Sequence, residues 1–482
     1  MEKDVESVVR RARSSATRSL LLSAFAPATS DAVPIWFVSA ADWERVRASI
    51  GEEAAVFAER CGFAPKTGRL QLLPAEGGGL AGALFGVDAP DARSRDPFAA
   101  GKLATSLPKG VYRFANPPAD ADLAALGFLL ASYRYVRFKP DATPGPSLVA
   151  PDGFDANRIE RIAAAVAFGR DLVNAPANVL GPHEFEQAAV KLAEDFDATI
   201  RMIRGDDLIA GNFPLVHAVG RAAAEPPRIV DFIWGRENAP KVTLVGKGVT
   251  FDSGGLDIKP ASGMELMKKD MGGGATALTL ARLIMEANLD LHLRVIVPIV
   301  ENAISASAMR PGDVIVSRKG LAVEIGNTDA EGRLILADAL ALADEDAPDL
   351  LFDFATLTGA ARVALGPDLP PFYTDDNRLA ASIDERAAKA ADPLWRMPLW
   401  RPYDAMIEGT VGDVSNSGSG AGMAGSITAA LFLRRFVERA KAWAHFDVYA
   451  WNPKPRAHGP AGGEIQAARA LFDLLCERYP RR

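Results

Sequence analysis

Lys241 opens a stretch in which strand-length apolar runs, KVTLVG (241–246), LHLRVIVPIV (291–300), LAVEIGN (321–327) and DLLFDFATL (349–357), are separated by glycine-rich turns and segments of helical periodicity. Runs that are apolar on both faces of the pleat leave no side for solvent, so these strands call for a sheet covered by helices on both faces. A chain written this way is α/β. In open sheets of that class, ligands gather outside the carboxyl ends of the strands. The charged residues just after these runs are therefore the first candidates for chemistry.

The N-terminal part reads as a smaller unit of the same class. IWFVSA, LQLLPA and ALFGV alternate with the helical pattern DWERVRASIGEEAAVFAERC, and a last long helix falls within 119–138. Residues 139–155 then gather proline, glycine and aspartate with almost no periodicity, as a linker does. The expected organisation is an N-terminal α/β domain over 1–150 and a larger catalytic α/β domain over 151–482, with a central mixed sheet flanked by helices. The larger one opens with a helix stopped by Asn174-Ala175-Pro176 and a second helix from Pro182 to Phe196.

Composition removes several function classes. At 482 residues, 49% apolar, with a formal charge of −7, the chain can bury a large core but lacks the cationic excess of a general nucleic-acid binder. No apolar run approaches the ~20 residues that span a bilayer. The stretch 18–32 imitates a leader, but acidic Glu2, Asp4 and Glu6 and a short apolar centre speak against export, so a cytoplasmic protein is expected. Cys61 and Cys476 have no CxxC spacing and read as two buried small side chains. The five histidines, His183, His217, His292, His445 and His458, form no HExxH, so any metal here needs oxygen ligands.

Three segments carry charge to the expected strand ends. In VGKGVTFDSGGLDIKP (245–260), Lys247 follows an apolar strand directly and would be partly desolvated unless it met a carboxylate or gave up its proton to a metal. The ordinary explanation is a solvent-reaching lysine with a turn over Asp252-Ser253-Gly254-Gly255. In MKKDMGGGA (267–275), Asp270 could simply cap the next helix, but Gly272-Gly273-Gly274 also marks a close backbone approach. In IGNTDAEGRLILADALALAD (325–344), Thr328 and Glu331 fit a capping box, which leaves Asp329, Gly332 and Arg333 unexplained. Together, three loop ends on one sheet supply Asp252, Asp270, Asp329 and Glu331, with Lys247 as a nitrogen donor. Four converging carboxylates repel unless cations join them. Two divalent ions roughly 3.5–4 Å apart, with a bridging water acidified towards pH ~7, would satisfy the set. Mostly carboxylate ligation with one nitrogen suits Zn²⁺, Mn²⁺ or Co²⁺.

VGKGVTFDSGG, MKKDMGG and above all NTDAEGRL resemble the leucyl aminopeptidase (cytosol aminopeptidase) family of dinuclear metallo-exopeptidases. The likeness continues through DFATLTGA (353–360), WRMPLW (395–400), VGDVSNSG (411–418) and WAHFDV (443–448), and so covers most of 155–482. The resemblance implies a metal-dependent aminopeptidase with Lys247, Asp252, Asp270, Asp329 and Glu331 as metal ligands, Asp252 and Glu331 bridging. It implies that Lys259 polarises the scissile carbonyl and that Arg333 holds a bicarbonate as general base. Leu357 and Gly359 would orient the substrate through their backbone, and Met267 and Thr356 would line the pocket for its first side chain. Also implied are two Mn²⁺ or Zn²⁺ ions, peptide substrates with a free N-terminal amine, and a homohexamer built as a dimer of trimers.

The chain departs from the family pattern after the HFD strand. Many relatives carry small residues where this one has Tyr449, Trp451 and Asn452, which either reshape the first-residue pocket or pack the end of a strand. Two other readings compete. A dinuclear phosphoesterase also uses two-metal carboxylate sites, but it would bring histidines and matches none of the segments. A binding protein that keeps the fold without catalysis, such as a DNA-binding regulator, would have lost a ligand or Lys259, and all are present.

Overall fold

The computed structural model describes residues 24–481 apart from 90, 94, 140–143, 420 and 421. The first part of the leader-like stretch, with Glu2, Asp4 and Glu6, lies outside the described residues. The described chain falls into two compact units, one of 24–167 with 452–461 and one of 168–451 with 462–481. The division falls inside the helix Ala156–Asn174.

The smaller unit is a five-stranded sheet in the order Leu70–Pro74, Leu80–Gly86, Val33–Val38, Val111–Asn116, Ser147–Leu148. Only its first strand runs antiparallel to its neighbour. The helical stretch after Val33–Val38 is two helices, Trp43–Ile50 and Glu52–Arg60, because Gly51 between them takes φ +84° and ends the first. The last long helix is Ala121–Ser132. Cys61 follows the end of the second helix and is exposed, and Cys476 is only half-buried, which corrects the expectation of two buried cysteines.

The larger unit is built on a mixed sheet. Its spine is four parallel strands, His292–Asn302, Lys241–Gly246, Leu350–Ala355 and Trp443–Asp447, with Arg228–Gly235 antiparallel beside the first and Pro371–Tyr373 antiparallel beside the last. Every residue of Leu350–Ala355 is buried, as a run apolar on both faces requires. Each Leu or Phe side chain so buried contributes about 1.5–3 kcal/mol. The helices Gly272–Glu286 and Glu331–Asp344 pack on these strands and are themselves almost wholly buried.

One strand lies elsewhere than expected. LAVEIGN supplies the strand Ala322–Glu324, but it pairs with Val314–Val316 and Val414–Ser415 in a separate three-stranded sheet. Asp329 and Glu331 therefore leave a small sheet, not the central one. A three-residue strand is too short for periodicity to show which sheet it joins.

Candidate active site

The four parallel strands end on the same side, and their ends carry the polar residues. Lys247 follows Gly246, Asp252 ends the short strand Gly248–Asp252, Thr356 follows Ala355, and Asn302 and Asp447 each close a strand. All of these polar residues but Asn302 line a cavity of about 420 Å³, together with Lys259, Met267, Asp270, Asp329, Arg333, Leu357 and Gly359. Glu331 is not in the lining but touches it through Lys247. The three sequence segments thus meet in one place.

Lys247 is 2% exposed, which rules out a solvent-reaching lysine. Its Nζ lies 2.7 Å from Asp270 Oδ2 and 2.9 Å from Glu331 Oε1, and donates to the Thr356 carbonyl at 3.0 Å. Burial alone would lower this ammonium, but the carboxylates of Asp270, Glu331 and Asp252 together raise it above the ordinary lysine range. Room for it comes from Gly332, where a Cβ would stand 2.5 Å from Lys247 Cε. Lys259 is held between Asp252, at 2.8 Å, and Asp329, and is likewise raised against its own burial.

Neither capping explanation holds. Asp270 does not cap Gly272–Glu286, whose N-cap is Met271 with no side-chain bond; its Oδ1 accepts from Thr356 Oγ1 at 2.8 Å. The capping box at Thr328 and Glu331 does not form either. The helix begins at Glu331 itself, and Thr328 Oγ1 instead donates to Gly254 O and accepts from Asp257 N. Both residues are drawn off their local helix by tertiary partners. The triple glycine does mark a close approach: a Cβ at Gly273 would lie 2.1 Å from Phe354 O, so the helix seats directly on a strand.

The donor set fits divalent cations. Asp252, Asp329 and Glu331 each bring a carboxylate oxygen within 4.8 Å of the others. Glu331 Oε2 has no partner among the described residues, and Asp270 Oδ2, Glu331 Oε1 and Asp329 Oδ1 meet only the ammonium groups of Lys247 and Lys259. Four carboxylates face two ammonium groups, so negative charge is in excess. Burial first, and then the charge of Asp252, pushes Glu331 up to about 8. Burial likewise raises Asp270 and Asp329. Added positive charge is what such a cluster lacks.

Sequence reasoning missed the residues that aim this set. Asn302 donates to Asp252 Oδ1 at 2.8 Å, and Asp447 accepts from Leu357 N, Thr358 N and Thr358 Oγ1. Asn416 brackets the other loop, accepting from Gly326 N and donating to Asn327 O, and its own carbonyl accepts from Arg333 at 2.6 Å. Asn302 and Asp447 end strands, so the strand-end rule that selected Asp252 could have found them. Burial lowers Arg333 to about 10, which leaves it charged at neutral pH, and its Nε has no partner among the described residues.

Residues 167–472 match the cytosol aminopeptidase family, catalytic domain, and residues 33–151 match the M17 aminopeptidase, N-terminal domain. The chain belongs to the cytosol aminopeptidase family. It is 39% identical over 395 residues to a probable cytosol aminopeptidase of a Synechococcus species, covering 78% of this chain and 80% of the relative. A second probable cytosol aminopeptidase, from Syntrophotalea carbinolica, is 40% identical over 368 residues, covering 72% and 73%. Among solved structures, the cytosol aminopeptidase of Coxiella burnetii matches with a TM-score of 0.89 and 41% identity, covering 94% of this chain and 98% of that one. The bottromycin maturation enzyme BotP in complex with Mn matches with a TM-score of 0.83 and 32% identity, covering 92% and 99%. Membership supports a metal-dependent aminopeptidase activity, a hydrolase function, for the cytosol aminopeptidase fold found here. No helix among the described residues is long and apolar enough to cross a membrane.

Proposed function

We propose that this chain releases N-terminal residues from peptides with a free amine, using two divalent ions, Mn²⁺ or Zn²⁺, held by Lys247, Asp252, Asp270, Asp329 and Glu331. Lys247, Asp252, Asp270 and Glu331 would hold one ion, and Asp252, Asp329 and Glu331 the more exchangeable one. The observation that carries this reading is the convergence of four carboxylates, Asp252, Asp270, Asp329 and Glu331, on only two ammonium groups, Lys247 and Lys259. Ions held there would supply Lewis acidity and acidify a water for attack at neutral pH. Lys247 must give up its proton to serve as a ligand, so metal uptake is coupled to proton release.

The chain's own residues do the rest. Lys259 is 14% exposed and fixed between two carboxylates, so its charge is preorganised where a carbonyl oxygen would gain negative charge. Arg333, with an uncommitted Nε, would hold a bicarbonate as general base. Met267 and Thr356 would line the pocket for the first side chain, and Leu357 and Gly359 would orient the substrate backbone. The Leu357 N–H is already taken by Asp447, so the group this segment offers a substrate is another one. Family membership alone supports a cytoplasmic location and a hexamer.

The test is release of the N-terminal residue from a panel of aminoacyl amides by metal-stripped protein, before and after adding Mn²⁺ or Zn²⁺, with N-acetylated controls. Metal-restored cleavage of the free-amine substrates alone is expected. A folded protein that binds ions and cleaves none of them would end the peptidase reading.

A further inference from the structure

One part of the cavity lining has no task in that chemistry. Lys269 is 3% exposed, yet its ammonium makes no ion pair or hydrogen bond among the described residues; its neighbour is the ring of Tyr449, 4.7 Å away at the centroid. Arg362 places its guanidinium 4.9 Å from the same centroid, also without a carboxylate at ion-pair distance among the described residues. Both line the cavity, as does Tyr449. Beside them Lys268 lies 5.5 Å from the centre of the Trp451 ring and donates to the Asn174 carbonyl at 2.7 Å. Three cations thus surround two aromatic rings with no acid at ion-pair distance among the described residues, Asp270 and Asp447 acting on Lys269 only from farther off, in a chain of 61 acidic and 54 basic residues. Asp447 shares the lining, but its oxygens serve Leu357 N, Thr358 N, Thr358 Oγ1 and Ser426 Oγ.

The contrast with Lys247 and Lys259 is informative, since each of those is held between two carboxylates. A buried ammonium without a counter-charge is costly, and a ring face recovers only part of that cost. Two cations on one ring also repel each other. An arrangement of this kind is complementary to an anion that arrives from outside. Lys269 lies on the same turn as Met267, residues 267–269, and Met267 and Thr356 share the cavity wall assigned above to the first side chain.

We propose that Lys269 and Arg362 receive the side-chain carboxylate of an N-terminal aspartate or glutamate, so that the enzyme favours acidic first residues over leucine. The proposal rests on the aminopeptidase reading and names its substrate class. It also gives a task to Tyr449, whose ring lies against both cations in the cavity wall.

The experiment compares kcat/KM for the p-nitroanilides of glutamate, glutamine and leucine, using the Mn²⁺-loaded full chain and its Lys269→Met and Arg362→Gln variants. Glutamine has the shape of glutamate without the charge, so the Glu/Gln ratio isolates the carboxylate. A wild-type ratio of about tenfold or more is expected, falling several-fold in each variant. Arg362 is exposed, so its variant keeps the test valid where Lys269→Met fails to fold. Glutamine or leucine cleaved as well as glutamate, or a ratio the variants leave unmoved, would overturn the proposal. So would faster cleavage of dipeptides than of their amides with no first-residue effect, which would assign the cations to the peptide's own terminal carboxylate. Calorimetry with free glutamate and glutamine separates the two levels. No turnover of any anilide would end the aminopeptidase reading, while equal binding of the two amino acids would end the carboxylate site by itself.

Discussion

Gly332→Ala should damage this protein, although in a helix the same change ordinarily stabilises by about 1 kcal/mol. Gly332 is the second residue of the helix Glu331–Asp344, and an added Cβ would meet Lys247 Cε at 2.5 Å and Nζ at 2.6 Å. Ordinary contact begins near 3.4 Å, so the lysine has to retreat by about 1 Å. It has no slack, because its ammonium stands 2.7 Å from Asp270 and 2.9 Å from Glu331 in a fully buried position. Breaking one side of a buried ion pair costs about 3–5 kcal/mol. Set against the helix gain, a net loss of about 2–4 kcal/mol remains, or roughly thirty- to a thousandfold in an equilibrium constant. Thermal unfolding of metal-stripped protein should show a lower midpoint for the variant, and calorimetry should show weakened Mn²⁺ binding. A variant that melts at or above the wild-type midpoint and binds Mn²⁺ normally would refute the assignment of Gly332 as the space for Lys247.

Other consequences follow from the same geometry. Lys259→Ala should lower kcat by about 10²–10³-fold while metal content, read by elemental analysis, stays near wild type; normal turnover would remove Lys259 from the mechanism. Because Glu331 is raised from 4.5 to about 8 in the ion-free protein, its stabilising contribution is present below about 4.5 and lost as pH rises through about 8. Ion-free protein should therefore melt lower at pH 8 than at pH 5, whereas Mn²⁺ affinity, which requires the proton to leave, should rise over the same range. Asp338 is fully buried and accepts from the backbone N–H groups of Leu215, Val216 and Arg318. Asp338→Ala would orphan these donors at about 1–3 kcal/mol each, and Asp338→Asn, which keeps one acceptor oxygen, should melt between the alanine variant and wild type.

Much of this architecture was legible because its physical signals are local. The runs at 241–246 and 349–357 declared fully buried strands, and the strand-end rule pointed to Lys247 and Asp252 before any contact was known. What stayed hidden were the partners that lie distant in sequence. Thr328 and Asp270 carry good local reasons to cap helices, and both are taken instead by groups on other elements, Gly254 and Thr356. Ala322–Glu324 is strand in sequence and in structure, but only its pairing with Val414–Ser415 shows that it left the central sheet. Lys269 has the sequence of a surface lysine, and its burial beside Tyr449 comes from a contact spanning 180 positions, invisible to any periodicity.

The central claim is that five side chains hold two ions close together. Metal-stripped protein titrated with Mn²⁺ and followed by electron paramagnetic resonance tests it most directly, in wild type and in Asp329→Ala. The account predicts two ions per chain with the signal of a coupled pair, reverting in the variant to the six-line signal of an isolated ion at the site that keeps Lys247 and Asp270. One ion per chain, or an uncoupled signal at full loading of the wild type, would contradict it.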